Sequence, residues 1–498
     1  MRRAVVTLAV LAAISPAVRA GVPALADPPG PAVIRDEMAG MHALTAVGEQ
    51  QQDTALEPSI AVNPADPLNA VIGYQEGRID AHCAQSVGYA TTFDGGETWT
   101  HATVPHLTVA DGGPAAVASD PVVAFGPDDT VYFNALTCSP HELAVSVSHD
   151  GGATWDDPIF VPSEQDFDDD KNWMIVDNGT GPGHHPGRIY LMADDGLKIY
   201  ALYSDDQART WNGPYVLYPA PGIGVQPNVM PNGDLTVVFN TGIFIGPIPS
   251  DADPEVTFLG SAMAITTAKG AGSVPTGAPL VFTPPVSVGK DRSTQTPGHR
   301  AGDGLPSAVV DPASGRIYVA WQDARFREDG LNDIVVTWSD DAGLTWTTPR
   351  PVDPGPRDDQ MEHFTPAIGV GPEGDVHIAY RTQRQGGTVV NTAYQRSTDG
   401  GRTWSDPVPI NVGLIPEYLA QDPPQEVTVD TDVRFAAFSR GGAFLGDYGQ
   451  VAVAGSWVYV VRCEAYRLSP DEPATFPPQV HHQRAWVAVV DTDGDGRV

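Results

Sequence analysis

Carboxylates and guanidinium groups recur at the ends of short apolar runs in this chain of 498 residues. The runs "AVIGYQEGR", "RIYVAWQDAR", "VHIAYRTQR" and "WVYVVRCEAYR" carry Glu76 and Arg78, Asp323 and Arg325, Arg381 and Arg384, and Arg462 and Glu464 at their far ends. A second set of runs starts at Glu57, Asp120, Asp170, Lys171, Gln226, Asp303, His363, Asp447 and Tyr448. Paired carboxylates suit proton transfer at a glycosidic bond, and a guanidinium, which is permanently charged and bidentate, suits an acidic sugar. Polar residues at strand ends are also ordinary solvated surface, so the mix of types carries the inference more than any one residue does.

The elements that would position these residues are strands. Gly 52 and Pro 47 are both high, 41% of residues are apolar, and no long stretch has a helical period. Short apolar runs between turn residues imply an all-β chain. They come in pairs, and seven pairs can be counted, from "PSIAVNP" (58–64) with "AVIGYQEGR" to "GQVAVAG" (449–455) with "WVYVVRCEAYR".

A motif, [ST]-x-D-x-[GA]-x-T-W, follows five of the pairs. Its Asp residues are Asp94, Asp150, Asp206, Asp341 and Asp399, and its Trp residues are Trp99, Trp155, Trp211, Trp346 and Trp404. The Asp spacings are 56, 56, 135 and 58. The long gap is two periods plus roughly 20 residues, and "AITTAKGAGS" (264–273) is the candidate for a degenerate copy within it. The Asp can accept amide hydrogens within its own turn, the Gly supplies a positive φ, and the Trp anchors the turn on a neighbouring element. This is a structural clasp with no chemistry of its own.

These copies resemble the Asp-boxes, or bacterial neuraminidase repeats, of the sialidase superfamily, over about residues 50 to 490. The resemblance implies a β-propeller of four-stranded blades joined by Asp-box hairpins. Seven blades are favoured and six, as in true sialidases, are the alternative. The seventh unit has no box, so a strand from within 31–50 is expected to close the ring. The domains expected are a signal and cleavage region (1–26), a ring-closing segment (27–56), one propeller (57–491) and a polar tail (492–498).

The resemblance also implies that the boxes lie opposite the working face, where the strand ends described above would meet. Cys83 and Cys138 follow the second strands of the first two units, so a disulfide between them is plausible. Cys463 is expected to be a buried free thiol. A sialidase uses three Arg on the substrate carboxylate, a Tyr–Glu nucleophile pair and an Asp acid/base. "YQEGRID" resembles the family's segment after the first blade's second strand and places Arg78 and Asp80. "GDYGQVAVAG" resembles the start of the family's nucleophile strand and places Tyr448. Arg384 falls where a triad Arg would. The expected catalytic residues are thus Tyr448, Asp80 and Glu76, and the expected substrate-binding residues are Arg78, Arg325, Arg381, Arg384, Arg462, Asp323 and Asp447. Departures are Leu56 where the first Arg belongs, Gln226 at the Glu position and Asn240 at an Arg position.

The function this implies is hydrolysis of a glycosidic bond in an acidic or complex glycan, by an exo-sialidase-like enzyme. The alternative is a non-catalytic propeller that binds a glycan or a protein. A net charge of −34 repels nucleic acid. Arg2 and Arg3 followed by the apolar stretch 4–14 read as an export signal, with small-residue cleavage sites at 18–20 or 24–26, so a secreted, soluble monomer is expected. No later run is long enough to span a membrane. No cofactor is required and no metal ligand set is assigned. "DTDGDG" (491–496) has only the first half of a Ca²⁺-loop spacing, so Ca²⁺ is weakly supported.

Overall fold

The structure is a computed structural model. It describes residues 32–34 (backbone only), 51–79, 83–138, 140–161, 170–241, 261–353, 355–356, 358–410, 431–439, 442–468 and 471–492. The expected signal region 1–26 lies outside these residues, as does most of 27–56 up to residue 50. Asp493, Asp495 and Gly496 of the acidic tail are also outside, and Asp491 ends the last strand, Gln483–Asp491.

The chain is all-β, built from antiparallel four-stranded units in chain order. The third unit is representative, with strands Asp170–Val176, Ile189–Asp194, Ile199–Ser204 and Asn212–Tyr218 paired in sequence. The first strands of the units are Ala55–Val62, Ala118–Phe125, Asp170–Val176, Ile223–Val229, Ser307–Val310, Met361–Val370 and Gln450–Ala454. Each packs against the next, and the last packs against the first. The last unit takes its outer strand, Ala32–Ile34, from the far end of the chain, with Ala32 opposite Val487. This arrangement of packed antiparallel units is a β-propeller. Among the described residues no helix is long and apolar enough to cross a membrane.

The core lies between units rather than within one. Ile72 and Tyr74 of the first unit cluster with Tyr459 and Val487 of the last. Val71 clusters with Phe125 and Phe133 of the second unit. Polar side chains of the inner strands join neighbours edge to edge: the Ser59 hydroxyl accepts from the Val123 amide (3.2 Å), that of Ser307 from Ile368 (3.1 Å), and Gln450 Oε1 from Ile60 (2.8 Å). A strand buried on both faces can thus carry polar residues at the axis without leaving them unsatisfied.

The five repeated turns share one bonding scheme. In the second unit, Asp150 Oδ1 accepts from the Thr154 amide (2.8 Å), Oδ2 from the Thr154 hydroxyl (2.6 Å), and the Ser148 hydroxyl donates to Oδ1 (2.8 Å). Trp155 meets Tyr89 of the first unit edge-on, with ring centroids 5.4 Å apart. Residues 264–273 hold the equivalent turn of the fourth unit. Without an Asp of its own, that turn borrows Asp234, whose Oδ1 accepts from the Gly270 amide (2.5 Å). Trp155→Ala is expected to cost about 3 kcal/mol in urea unfolding, at the low end for a Trp because the ring is only half-buried.

Cys83 and Cys138 are disulfide-bonded, with Cα atoms 6.6 Å apart, and Cys463 is free and buried. One element has no counterpart in the repeat. His299–Arg300 pairs in parallel with Gly442–Phe444, which pairs antiparallel with Ala437–Ser439. This small sheet ties the segment before the fifth unit to the segment before the seventh.

Candidate functional site

The site begins as a repeated fault in strand pairing. Five first strands slip register against their second strands near the same level: at Leu56/Ser59, Ser119/Val122, Asp170/Trp173, Ile223/Gln226 and Phe364/Ala367. Each slip contains a residue of positive φ: Glu57 (50°), Asp120 (47°), Lys171 (40°), Gly224 (76°) and Thr365 (51°). Pro58, Pro121 and Pro366 follow three of these residues, and a proline cannot donate to the ladder. A bulge re-aims its side chain, and a non-glycine residue at positive φ costs about 1–3 kcal/mol, strain that tends to gather at functional sites.

The re-aimed side chains of Glu57, Asp120 and Lys171 meet Asp170, Asp303 and Asp447 around a pocket of about 280 Å³, which His299 and Arg300 complete. Arg300 Nη2 donates to Asp447 Oδ2 (2.5 Å), and its guanidinium lies 4.1 Å from the centre of the Phe444 ring. Gln75 Nε2 donates to Glu57 Oε2, Ser119 donates to Asp120 Oδ1 (2.5 Å), and Gln322 Nε2 donates to Asp303 Oδ1 (2.7 Å). Lys171 is buried, with Nζ 3.6 Å from the centre of the Tyr448 ring and 4.2 Å from that of Trp173. Gly302 is required where it stands, at φ 57°, because a Cβ there would lie 2.3 Å from the Asp447 carbonyl oxygen.

Burial and the charge of neighbouring carboxyls make Glu57, Asp170 and Asp194 hold their protons. Burial, then Asp120, pushes Asp170 up to about 6. Burial, then Asp120 and Asp447, holds Glu57 well above the usual carboxylate range. Burial, then Asp170, does the same for Asp194. Burial lowers Lys171 against the pull of the surrounding carboxylates. A proton-holding carboxyl beside an ionised one is the arrangement that acid–base chemistry on a glycoside uses.

The residues expected from the sequence separate into two groups. Asp447 lines the pocket and Tyr448 lies just beneath it. Arg78 stands close by, 5.0 Å from the Phe444 ring centre, and burial lowers it to about 10. Asp80 lies outside the described residues. Glu76 is buried within the first unit's sheet over Gly88 and Tyr74, away from the pocket. Asp323 and Arg325 pair with each other (2.6 Å). Arg381 donates to the Cys463 carbonyl (2.6 Å), and Arg462 donates to Glu464 and to the Ile410 carbonyl (2.6 Å). Arg384 is exposed at a strand end. No carboxylate clamp forms from these four Arg.

Tyr448 lies beneath the pocket rather than in its lining. Burial, then the charges of Asp120, Glu57, Asp447 and Asp170, pushes its phenol well above 10, which suppresses the phenolate. Arg300 and His299 went unassigned in the sequence. Their signal is the excess length in the 135-residue gap and the turn-rich "TPGHRAGDGLP" (296–306), which carries charge without a strand pattern.

Stability should peak in mild acid. At Asp94 the Thr98 and Thr92 donors outweigh burial and bring it to about 2, and the Thr403 hydroxyl leads the same effect at Asp399, also to about 2. Their contribution is present above the ordinary value near 4 and is lost as pH falls through the folded value. Asp170 (about 6) and Glu362 (about 7) are raised, chiefly by burial, so the fold binds their protons more tightly than the unfolded chain does. That contribution is fully present below the ordinary value and is lost as pH rises through the folded one. Melting temperature across pH 2–9 is expected to be highest at about pH 4–6.

Neither a family model nor a curated protein sequence matches the chain. Solved structures do. A GH74 xyloglucanase of Xanthomonas campestris is similar over 86% of this chain and 55% of its own, at 15% identity and a TM-score of 0.45. A sialidase of Streptococcus pneumoniae is similar over 67% and 66%, at 11% identity and a TM-score of 0.42. The intramolecular trans-sialidase of Ruminococcus gnavus is similar over 74% and 99%, at 13% identity and a TM-score of 0.44. The chain thus spans little more than half of the xyloglucanase and about two thirds of the pneumococcal enzyme. At these identities the likeness is one of fold.

Proposed function

We propose that the protein is a glycoside hydrolase whose reaction takes place among Glu57, Asp120, Asp170 and Asp447. The observation that carries this is their convergence on one pocket of about 280 Å³, with Asp170 protonated up to about pH 6. Asp170 would protonate the leaving oxygen, and Asp120 would face the sugar carbon from the same pocket. The Arg300–Asp447 pair would hold the wall of the pocket. Preorganised charges of this kind, in a site partly closed to water, supply most of the barrier reduction in such chemistry.

We also propose that the protein is exported. The Cys83–Cys138 disulfide suits an oxidising compartment, as the reading of the first residues as a signal requires.

The test is release of 4-methylumbelliferone from a panel of glycosides between pH 4 and 8. Turnover of at least one glycoside is expected, with kcat falling above about pH 6 as Asp170 loses its proton. Sugar binding with no turnover of any glycoside would leave the alternative, a binding propeller.

A further inference from the structure

We infer that Asn332 is the positioning residue of the pocket's loop wall, with Glu362 as its anchor. The inference takes from the glycosidase reading only that this pocket is the working site.

Seven of the fourteen residues that line the pocket come from one stretch, Gln295 to Leu305. Between Asp291 and Pro306 only His299 and Arg300 lie in a strand, so almost no ladder fixes this wall. Side chains of the surrounding units hold it instead. At its far end Gln322 donates to Asp303 Oδ1 (2.7 Å), Thr365 to the Ala301 carbonyl (3.2 Å) and Asn240 to the Gly304 carbonyl (2.8 Å). At its near end Asn332 takes both backbone groups of Thr294. Its Oδ1 accepts from the Thr294 amide (2.8 Å) and its Nδ2 donates to the Thr294 carbonyl (2.8 Å), so one side chain copies the two bonds of a strand partner. The Thr294 hydroxyl adds a longer bond to the Gly330 carbonyl (3.3 Å).

Asn332 is itself fully buried, and Nδ2 also donates to Glu362 Oε1, which accepts from the Asn332 backbone amide as well (3.3 Å). The side chain thus uses two donors and an acceptor at once, a set that neither an Asp nor a hydroxyl residue supplies. The bonds run from the first strand of the sixth unit, through the fifth, into the wall that carries Arg300 and Asp303.

Glu362 is 1% exposed, and its Oε2 has no hydrogen-bond partner among the described residues. Burial raises it to about 7, against the two Asn332 donors; Asp303 of the wall pushes it up and Arg327 pulls it down. Gln383, which is uncharged, stands across the ladder from it. Opening the wall would admit water to Glu362, so the closed wall holds the proton more tightly than the open one. That contribution is fully present below the ordinary carboxyl value and is lost as pH rises through about 7.

The test is hydrogen–deuterium exchange of the full chain, read at the amides of 299–305, which lie beyond the residue that Asn332 bonds. The repeated turns serve as internal reference. At pH 6, Asn332→Ala should speed exchange at 299–305 by about tenfold or more and leave the repeated turns unchanged, as expected for local opening. The backbone tie between the two units, from the His363 amide to the Asn332 carbonyl (3.1 Å), survives that substitution. Glu362→Gln keeps an acceptor for both Asn332 groups and should retain wild-type protection. From pH 6 to pH 8, exchange at 299–305 in the wild type should rise by about threefold or more after correction for the intrinsic rate, and in E362Q it should not.

Unchanged exchange in N332A overturns the inference. So does an equal rise in the repeated turns, which would make Asn332 a residue of general stability. A wild-type wall equally protected at both pH values also overturns it, as does an E362Q chain with the pH dependence of the wild type. The pH comparison needs no destabilised chain and decides alone if N332A does not fold. On any glycoside that the wild type turns over, N332A should lower kcat/KM by about tenfold or more and E362Q should keep it. No turnover in any chain would remove the hydrolase and leave the exchange readout to decide this inference. Turnover with unmoved exchange would do the reverse.

Discussion

Asp170→Asn is expected to lower kcat by about 10²–10⁴-fold, the usual cost of removing a general acid. The substitution is nearly isosteric. The Lys171 amide, which donates to Asp170 Oδ1 (2.8 Å), keeps its acceptor in Asn. What disappears is the proton that Asp170 holds to about pH 6. The variant should therefore lose the alkaline limb of the pH–rate profile as well as its rate.

Stability should move the other way. The group is deeply buried, and its raised value means that the ionised form costs the fold about 3 kcal/mol once the pH exceeds 6. An amide has no ionised form, so D170N should melt higher than the wild type at pH 8 and about equally at pH 4. A loss of activity with a lower melting temperature at pH 8 would make Asp170 a structural residue and remove it from the reaction. The trade of stability for function is common where like charges are gathered on purpose.

Arg300→Met has the second large effect, and it acts on the fold of the site. Arg300 is the counter-charge of Asp447, and Asp447 in turn acts on Glu57, Asp170 and Tyr448. Removing one partner of a buried ion pair leaves the other charge uncompensated, at about 3–5 kcal/mol when the pair is fully buried. The Arg300 side chain is 24% exposed and that of Asp447 15%, so about 2–3 kcal/mol is expected at pH 7. The loss should shrink toward pH 5, where the clustered carboxyls take up protons. It should also shrink in the double variant Arg300→Met with Asp447→Asn, which leaves no orphaned charge. Chemical denaturation of the four chains at both pH values gives the coupling directly. Equal losses in R300M and in the double variant would mean that packing on Phe444, rather than charge, is what Arg300 contributes.

Much of this protein is local and therefore legible. The repeated turn encloses its own hydrogen bonds: Asp150, Ser148 and Thr154 satisfy one another within seven residues of chain, so the motif is visible in the string itself. The paired apolar runs are equally local, because strand pairs joined by short turns need no distant partner. From these alone follow the all-β class, the order of the strand pairs and the identity of the structural Trp residues.

The site was legible only as a list of strand ends. Asp447 and Tyr448 could be placed there through the resemblance, and Glu57, Asp120, Asp170 and Lys171 as the starts of inner strands. Which strand-end charges would face one another was not legible. Arg325, Arg381 and Arg462 look in sequence like a clamp, yet Arg325 closes on Asp323 two residues away, and Arg381 and Arg462 each donate to a carbonyl of the neighbouring unit. Arg300 looks like loop, yet it completes the pocket through a parallel pairing with residues more than 140 positions away.

The sequence by itself determined the architecture, because periodicity and turn chemistry act over a few residues and survive without knowledge of the partner. Only the tertiary structure decided the chemistry. The convergence of the pocket carboxyls and the protonation of Asp170 depend on distances between groups that the chain separates by up to hundreds of residues. Electrostatic energy and desolvation depend on those distances and on burial, and neither is a property of a residue's neighbours in sequence.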